Sequence, residues 1–187
     1  MNANDEPRLA PPGAGLPLPE LLIARMLFAL KRWTGGREAF NARFRQEREK
    51  IRSLVQSCDA ETGARRVLIR RVRGLEDSSR YWSVWMTLDH LRIVHDAMAG
   101  IIAALTKGVV PDGAASTAAV KPSPSADATV VAAYEKSCED LLATVASAPE
   151  LKTAARFPHP WFGPMDAAAW HALAPGHLGI HLSLIHI

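Results

Sequence analysis

Three histidines carry the chemistry this sequence can do. His177 and His181 stand four residues apart in Pro-Gly-His-Leu-Gly-Ile-His, and His90 closes an upstream run, Trp-Ser-Val-Trp-Met-Thr-Leu-Asp-His. On a helix, side chains at i and i+4 share one face about 5–6 Å apart, so both downstream imidazoles can turn toward one point. A third imidazole from a facing helix would supply three corners of a divalent-metal site, with a fourth position left for water or substrate. Zn, Ni or Fe(II) would each accept imidazoles. The spacing alone is a weak pattern. H-x-x-x-H lacks the Glu that gives H-E-x-x-H its own base, and 7 histidines offer many chances for it to arise.

The other histidines read differently. His95 follows His90 by five positions, about 140° around a helix, and so points away from the presumed site as a surface or hydrogen-bonded side chain. His159 can line a pocket or bond its own loop, and His171 reads as exposed. Asp89 adjoins His90, but the next residue on a helix faces elsewhere, so no acid or base is obviously placed beside a metal and the catalytic residues are unassigned. Trp82, Trp85, Trp161, Phe162 and Trp170 read as packing residues, those nearest a metal serving also as apolar pocket wall.

Helices must position these groups. Residues 37–58 place Phe40, Phe44, Ile51, Leu54, Val55 and Cys58 at three- and four-residue intervals with charges between, which predicts the first bundle helix. Asp59 can cap a short helix running through Val72. Ser83 looks like the N-cap of a second bundle helix ending near Thr106, with Gly108 as its stop. Residues 129–147 make the third, with Tyr134, Cys138, Leu141 and Val145 inward. Residues 149–164 are a loop. Asp166 then caps a short turn around Trp170, and Pro175 opens the fourth helix at its first turn.

Two stretches read as mobile. Residues 1–15 are rich in Pro and Gly, and residues 109–128 in Ala, Ser, Pro and Gly, so neither offers the apolar surface that offsets ordering entropy. Between the tail and the bundle, residues 16–33 form an additional N-terminal helix that docks on the bundle exterior or at a homodimer contact. Its Glu20, Arg25, Lys31 and Arg32 exclude a membrane span, which needs about 20 mostly uncharged residues.

The wording around the histidines is more specific than their spacing. Tyr81-Trp82-Ser83 through Leu88-Asp89-His90-Leu91 resembles the W-S-x-x-x-x-L-x-H-L signature of the DinB/YfiT-like metalloenzyme superfamily. His159-Pro160-Trp161-Phe162-Gly163-Pro164-Met165, then Trp170, His177 and His181, is similar to the ending of one DinB-like subfamily of unknown function. The resemblance spans about residues 37–181. It implies an all-α fold, a four-helix bundle with a long crossover connection, whose metal is held by His90, His177 and His181. It also implies either of two reaction classes, transfer of a low-molecular-weight thiol or metal-dependent hydrolysis, with a small molecule as substrate. The alternative is a non-catalytic helical metal-binding or interaction module associated with stress response.

The final six residues stand apart. Leu182-Ser183-Leu184-Ile185-His186-Ile187 is the translation of CTG TCT CTT ATA CAC ATC, the end of a transposon adapter used in sequencing. The expectation is that residues 182–187 are adapter-derived, that His186 is no ligand, and that the domain read here, residues 16–181, keeps a truncated fourth helix of a turn or two from Gly176 onward.

Composition sets outer bounds. With 187 residues, 48% of them hydrophobic, one core-forming domain is the default. Cys58 and Cys138 have no metal or redox spacing and read as small buried thiols, and the acidic first residues are no export signal, so a cytoplasmic location is expected. Arg65, Arg66, Arg70, Arg71 and Arg73 form a basic cluster, but acids are interspersed, the net charge is only +3, and no stacking motif accompanies them. Nucleic acid is therefore disfavoured as a partner.

Overall fold

A computed structural model of the chain describes residues 7–185. Four long helices form a bundle: α2 (Arg37–Gln56), α4 (Val84–Thr106), α5 (Val130–Ser147) and α6 (Ala167–Ile185). Helix α4 packs against both α5 and α6, and α2 packs against α6. The predicted apolar stripes face inward. Phe44 and Ile51 of α2, Leu88, Leu91, Ile102 and Leu105 of α4, and Tyr134, Leu141 and Val145 of α5 are all essentially inaccessible. Each such side chain contributes roughly 1.5–3 kcal/mol on leaving water, which holds the frame that carries the histidines. Arg48 and Arg52 of α2 add ion pairs to Glu135 of α5.

The ends of α4 are set as expected. The Ser83 hydroxyl accepts the Met86 N–H at 3.1 Å, satisfying one of the free amides of the first turn. At the other end Gly108 takes a φ of +76°, a conformation open to glycine at little cost. Asp59 caps α3 (Ala60–Ala64) as predicted, but α3 stops after a single turn and does not reach Val72. The chain turns extended instead, and β1 (Val67–Leu68) pairs antiparallel with β2 (Tyr81–Trp82), Val67 opposite Trp82. β-Branched Val67 and Ile69 favour this pairing over a helix. It fixes Trp82 just before α4.

A second hairpin lies in the stretch expected to be a loop. β3 (Phe157–His159) pairs with β4 (Gly163–Met165), with Gly163 at φ +70°. Asp166 then caps α6, accepting the Ala169 N–H at 2.8 Å. The expectation of a last helix opening at Pro175 is corrected: α6 begins at Ala167, runs 19 residues and contains Pro175 in its interior. The Ala-rich start, Ala167-Ala168-Ala169-Trp170, has high helix propensity, and burial of Ala167, Trp170, Ala174 and Leu178 offsets the roughly 3 kcal/mol that an interior proline costs. Leu184, near the end of α6, packs with Leu75, Trp82 and Met86.

Helix α1 (Leu18–Thr34) lies outside the bundle with none of its residues buried. It is held by polar fastenings: Glu20 to Arg71 at 2.7 Å, Arg25 to the Trp161 carbonyl at 2.6 Å, and Arg32 to Asp166 at 3.4 Å. Of the stretch 1–15, residues 1–6 lie outside the described residues, as does His186. In the remainder of that stretch the amides of Gly13 and Gly15 donate to Glu76 at 3.1 Å. The 109–128 connection is likewise tied by polar contacts, among them Lys121 to Glu76 at 3.0 Å and the Ser123 N–H to Asp89 at 2.8 Å. Both cysteines are free, Cys138 buried and Cys58 partly so. No helix among the described residues is long and apolar enough to cross a membrane.

Candidate metal centre

Helices α4 and α6 bring the three histidines together. His90 Nε2 lies 3.2 Å from His177 Nε2 and 3.2 Å from His181 Nε2. Among the described residues, these three form the one group of His, Cys, Asp or Glu side chains close enough to share a metal ion. The i, i+4 pair presents both rings from one face of α6, and His90 meets them from the second turn of α4. Two metal–nitrogen bonds of about 2.0–2.1 Å at a tetrahedral angle separate their nitrogens by about 3.3 Å, so the spacing suits a single cation.

The protonation pattern agrees. His90 Nδ1 sits 2.6 Å from the Val120 carbonyl, which can only accept, so Nδ1 carries the hydrogen and Nε2 presents a lone pair to the other two rings. One lone pair serves at most one good donor, yet two nitrogens stand at 3.2 Å. A cation between them resolves the crowding, and the Val120 bond is the kind of outer partner that orients a metal-binding imidazole. Burial also keeps the rings neutral: it lowers the pKa of His90 to about 4, against the opposing effect of the Val120 bond, and takes His177 and His181 well below their ordinary value. Neutral imidazole is the ligating form. The three-histidine set therefore fits a divalent metal.

Trp82 walls the site. Its ring stacks on His181 at 5.9 Å and 10°, and lies 4.9 Å from His90. Lys121 reaches over the Trp82 ring, 5.2 Å from its centroid, while bonding Glu76, Ser78 and Ser79. Burial works to raise the Glu76 pKa, but the bonds from Lys121, Ser78 and Gly15 outweigh it and hold the carboxyl at about 2. Glu76 thus stays charged and keeps Lys121 in place, next to the carbonyl that orients His90.

The remaining candidates fall outside the cluster. His95 is fully buried rather than on the surface, its Nδ1 3.3 Å from Ser137 Oγ. His171, expected to be exposed, is buried, with Nε2 2.9 Å from Asn41 Oδ1. It is buried because α6 begins before Pro175 and packs this face on α2. His159 meets both expectations: Nδ1 accepts the Trp161 N–H at 3.1 Å, and the side chain lines the cavity that opens on the three histidines. Asp89 binds Arg92 and the Ser123 amide, away from the three nitrogens. Val120 and Lys121 were not foreseen. A backbone carbonyl leaves no mark in a sequence, although Lys121 is the one charge between Asp112 and Asp127.

The cavity next to the histidines has a volume of about 1300 Å³ and reaches from α6 to the inner side of α1.

Comparison with known proteins bears on the family and the fold. The family model of the DinB superfamily matches residues 42–185. The chain belongs to the DinB superfamily. Its bundle is also similar to a solved structure, the crystal structure of TT2238, a four-helix bundle protein, with a TM-score of 0.58 and 21% identity over 80% of this chain and 97% of that one. At that identity the likeness concerns the fold. No curated protein matches this DinB chain. The match to the superfamily covers α4 and α6, and with them all three histidines.

Proposed function

We propose that His90, His177 and His181 hold one divalent metal, Zn, Ni or Fe(II), and that the protein is a metal-dependent enzyme of the thiol-transferase or hydrolase type acting on a small molecule. The observation that carries this reading is the convergence of three neutral imidazole nitrogens at 3.2 Å with His90 already oriented by Val120. When bound, such an ion would supply Lewis acidity, bringing a water or a low-molecular-weight thiol toward its nucleophilic anion. The protein's own side chains do the rest. Trp82 fixes the ring plane of His181 and excludes water from that side, Val120 holds the proton of His90 on Nδ1, and the cavity receives the substrate.

Metal analysis of the purified chain tests the site. One equivalent of metal is expected in the wild type and none in His90→Ala, His177→Ala or His181→Ala. Metal at a hundredfold excess over its dissociation constant should add about 2.7 kcal/mol, a rise in Tm of about 5–10 °C for a chain of this size. A wild type that retains no metal and shows no shift would refute the site. Chelator-sensitive conjugation of a thiol, or chelator-sensitive ester hydrolysis, then separates the two classes. A second reading, a metal-binding module without catalysis, is favoured by one observation: among the described residues no carboxylate joins the three histidines. Stoichiometric metal with neither activity would select it.

A further inference from the structure

One charged side chain lining the cavity beside the histidines has no bonded partner among the described residues. Four others line it, and their charges are engaged or hydrated. Glu20 pairs with Arg71 at 2.7 Å, Glu76 pairs with Lys121 at 3.0 Å, and Arg73 is exposed. Lys31 differs. It points from α1 across to α6, where a Cβ on Gly176 would lie 3.7 Å from its Nζ, and among the described residues it makes no side-chain hydrogen bond and no ion pair. The carboxylate of Glu47, whose charge it feels, is already shared by Arg43 at 3.6 Å and Lys50 at 3.2 Å. Beyond this ammonium the cavity lining is largely apolar, with Ile23, Leu27 and Phe28 of α1 and Val94, Met98 and Ile101 of α4 among its residues.

A single half-buried lysine in an apolar chamber matches a ligand with one anionic group and a hydrocarbon body. An ammonium is a compact point charge with three donors, without the planar fork that arginine offers to a doubly bonded anion. We propose that the ligand admitted to the three-histidine site is an amphipathic monoanion of the carboxylate class, its charge on Lys31 Nζ and its apolar body between α1 and α4. Lys31 Nζ reaches α6 beside Gly176, one residue before His177. The placement of a reacting group at the histidines rests on the metal reading above. The recognition of the anion does not.

Isothermal titration of the full chain with octanoate, and with 1-octanol as its uncharged counterpart, tests the proposal. Octanoate should bind at least about tenfold more tightly than 1-octanol, because a charge-assisted hydrogen bond distinguishes them. Lys31→Met should remove that difference while leaving 1-octanol binding unchanged, which also reports an intact cavity. Ile101→Trp, which fills the chamber, should abolish both. The difference should persist after EDTA treatment. If EDTA or His177→Ala abolishes octanoate binding and Lys31→Met does not, the carboxylate sits on the metal, which overturns the inference and upholds the metal site. If the chain binds no zinc yet Lys31→Met still costs tenfold, the metal reading falls and the anion site stands. Equal affinity for the two probes, no binding of either, or octanoate binding untouched by Ile101→Trp would each refute it.

Discussion

Trp82 lies flat on His181, the two rings 10° from parallel with centroids 5.9 Å apart, while its own position is fixed by pairing with Val67. An indole this close to the three histidines should report a metal bound there. Adding Ni(II) or Cu(II) is expected to quench tryptophan emission, and Trp82→Phe should lose most of that response while keeping the metal. Full quenching in Trp82→Phe would assign the signal to one of the other tryptophans and contradict the geometry.

Glu76 acts on the site from a distance. Glu76→Gln removes the counter-charge of Lys121 and weakens the hold on the segment that presents the Val120 carbonyl. Breaking a buried pair from one side costs about 3 kcal/mol or more, and loosening an outer partner of a ligand costs about tenfold in metal affinity. Competitive zinc titration and urea unfolding measure the two effects. A variant with wild-type zinc affinity would show that Val120 is held without Lys121.

Stability should fall in mild acid. Burial lowers the pKa of His95 to about 3 and, together with Arg37, that of His171 to about 4, whereas an unfolded histidine titrates near 6.5. Above pH 6.5 both states are neutral and the stability is fully present. Below it the unfolded chain binds protons that the folded one refuses, so each such histidine removes about 1.4 kcal/mol per pH unit until its folded pKa is reached. Urea midpoints in chelator should therefore drop steeply between pH 7 and pH 4. A flat midpoint across that window would mean that the rings protonate without unfolding.

Gly63 is a packing constraint. A Cβ there would lie 2.2 Å from the Trp85 ring, so Gly63→Ala must displace a tryptophan of the core. A loss of about 1–3 kcal/mol is expected in urea unfolding, with zinc stoichiometry unchanged. A neutral substitution would show that the α3 turn yields freely.

Much of the candidate site is legible because its histidines follow helical arithmetic. The i, i+4 spacing of His177 and His181 and the capping Ser83 ahead of His90 are local signals, and local signals survive in a sequence. Pro175 is ambiguous because a proline reads locally as a first-turn residue, while the packing that lets α6 run through it is a non-local contact. The strand at Val67–Leu68 leaves little local signal because its pairing with Tyr81–Trp82 is a non-local contact. The 109–128 connection has few apolar side chains, and its ties are polar: the Val120 carbonyl, the Ser123 amide, the Thr117 hydroxyl and Lys121.

His90 and His177 are separated by 87 positions in the chain and by 3.2 Å in space. An ion shared between them would act as a removable cross-link, closing a loop of that length and taking conformational freedom from the unfolded ensemble as a distant disulfide does. Loaded and stripped protein would then differ in how long each copy stays folded, with the two helices that meet at the ion parting last.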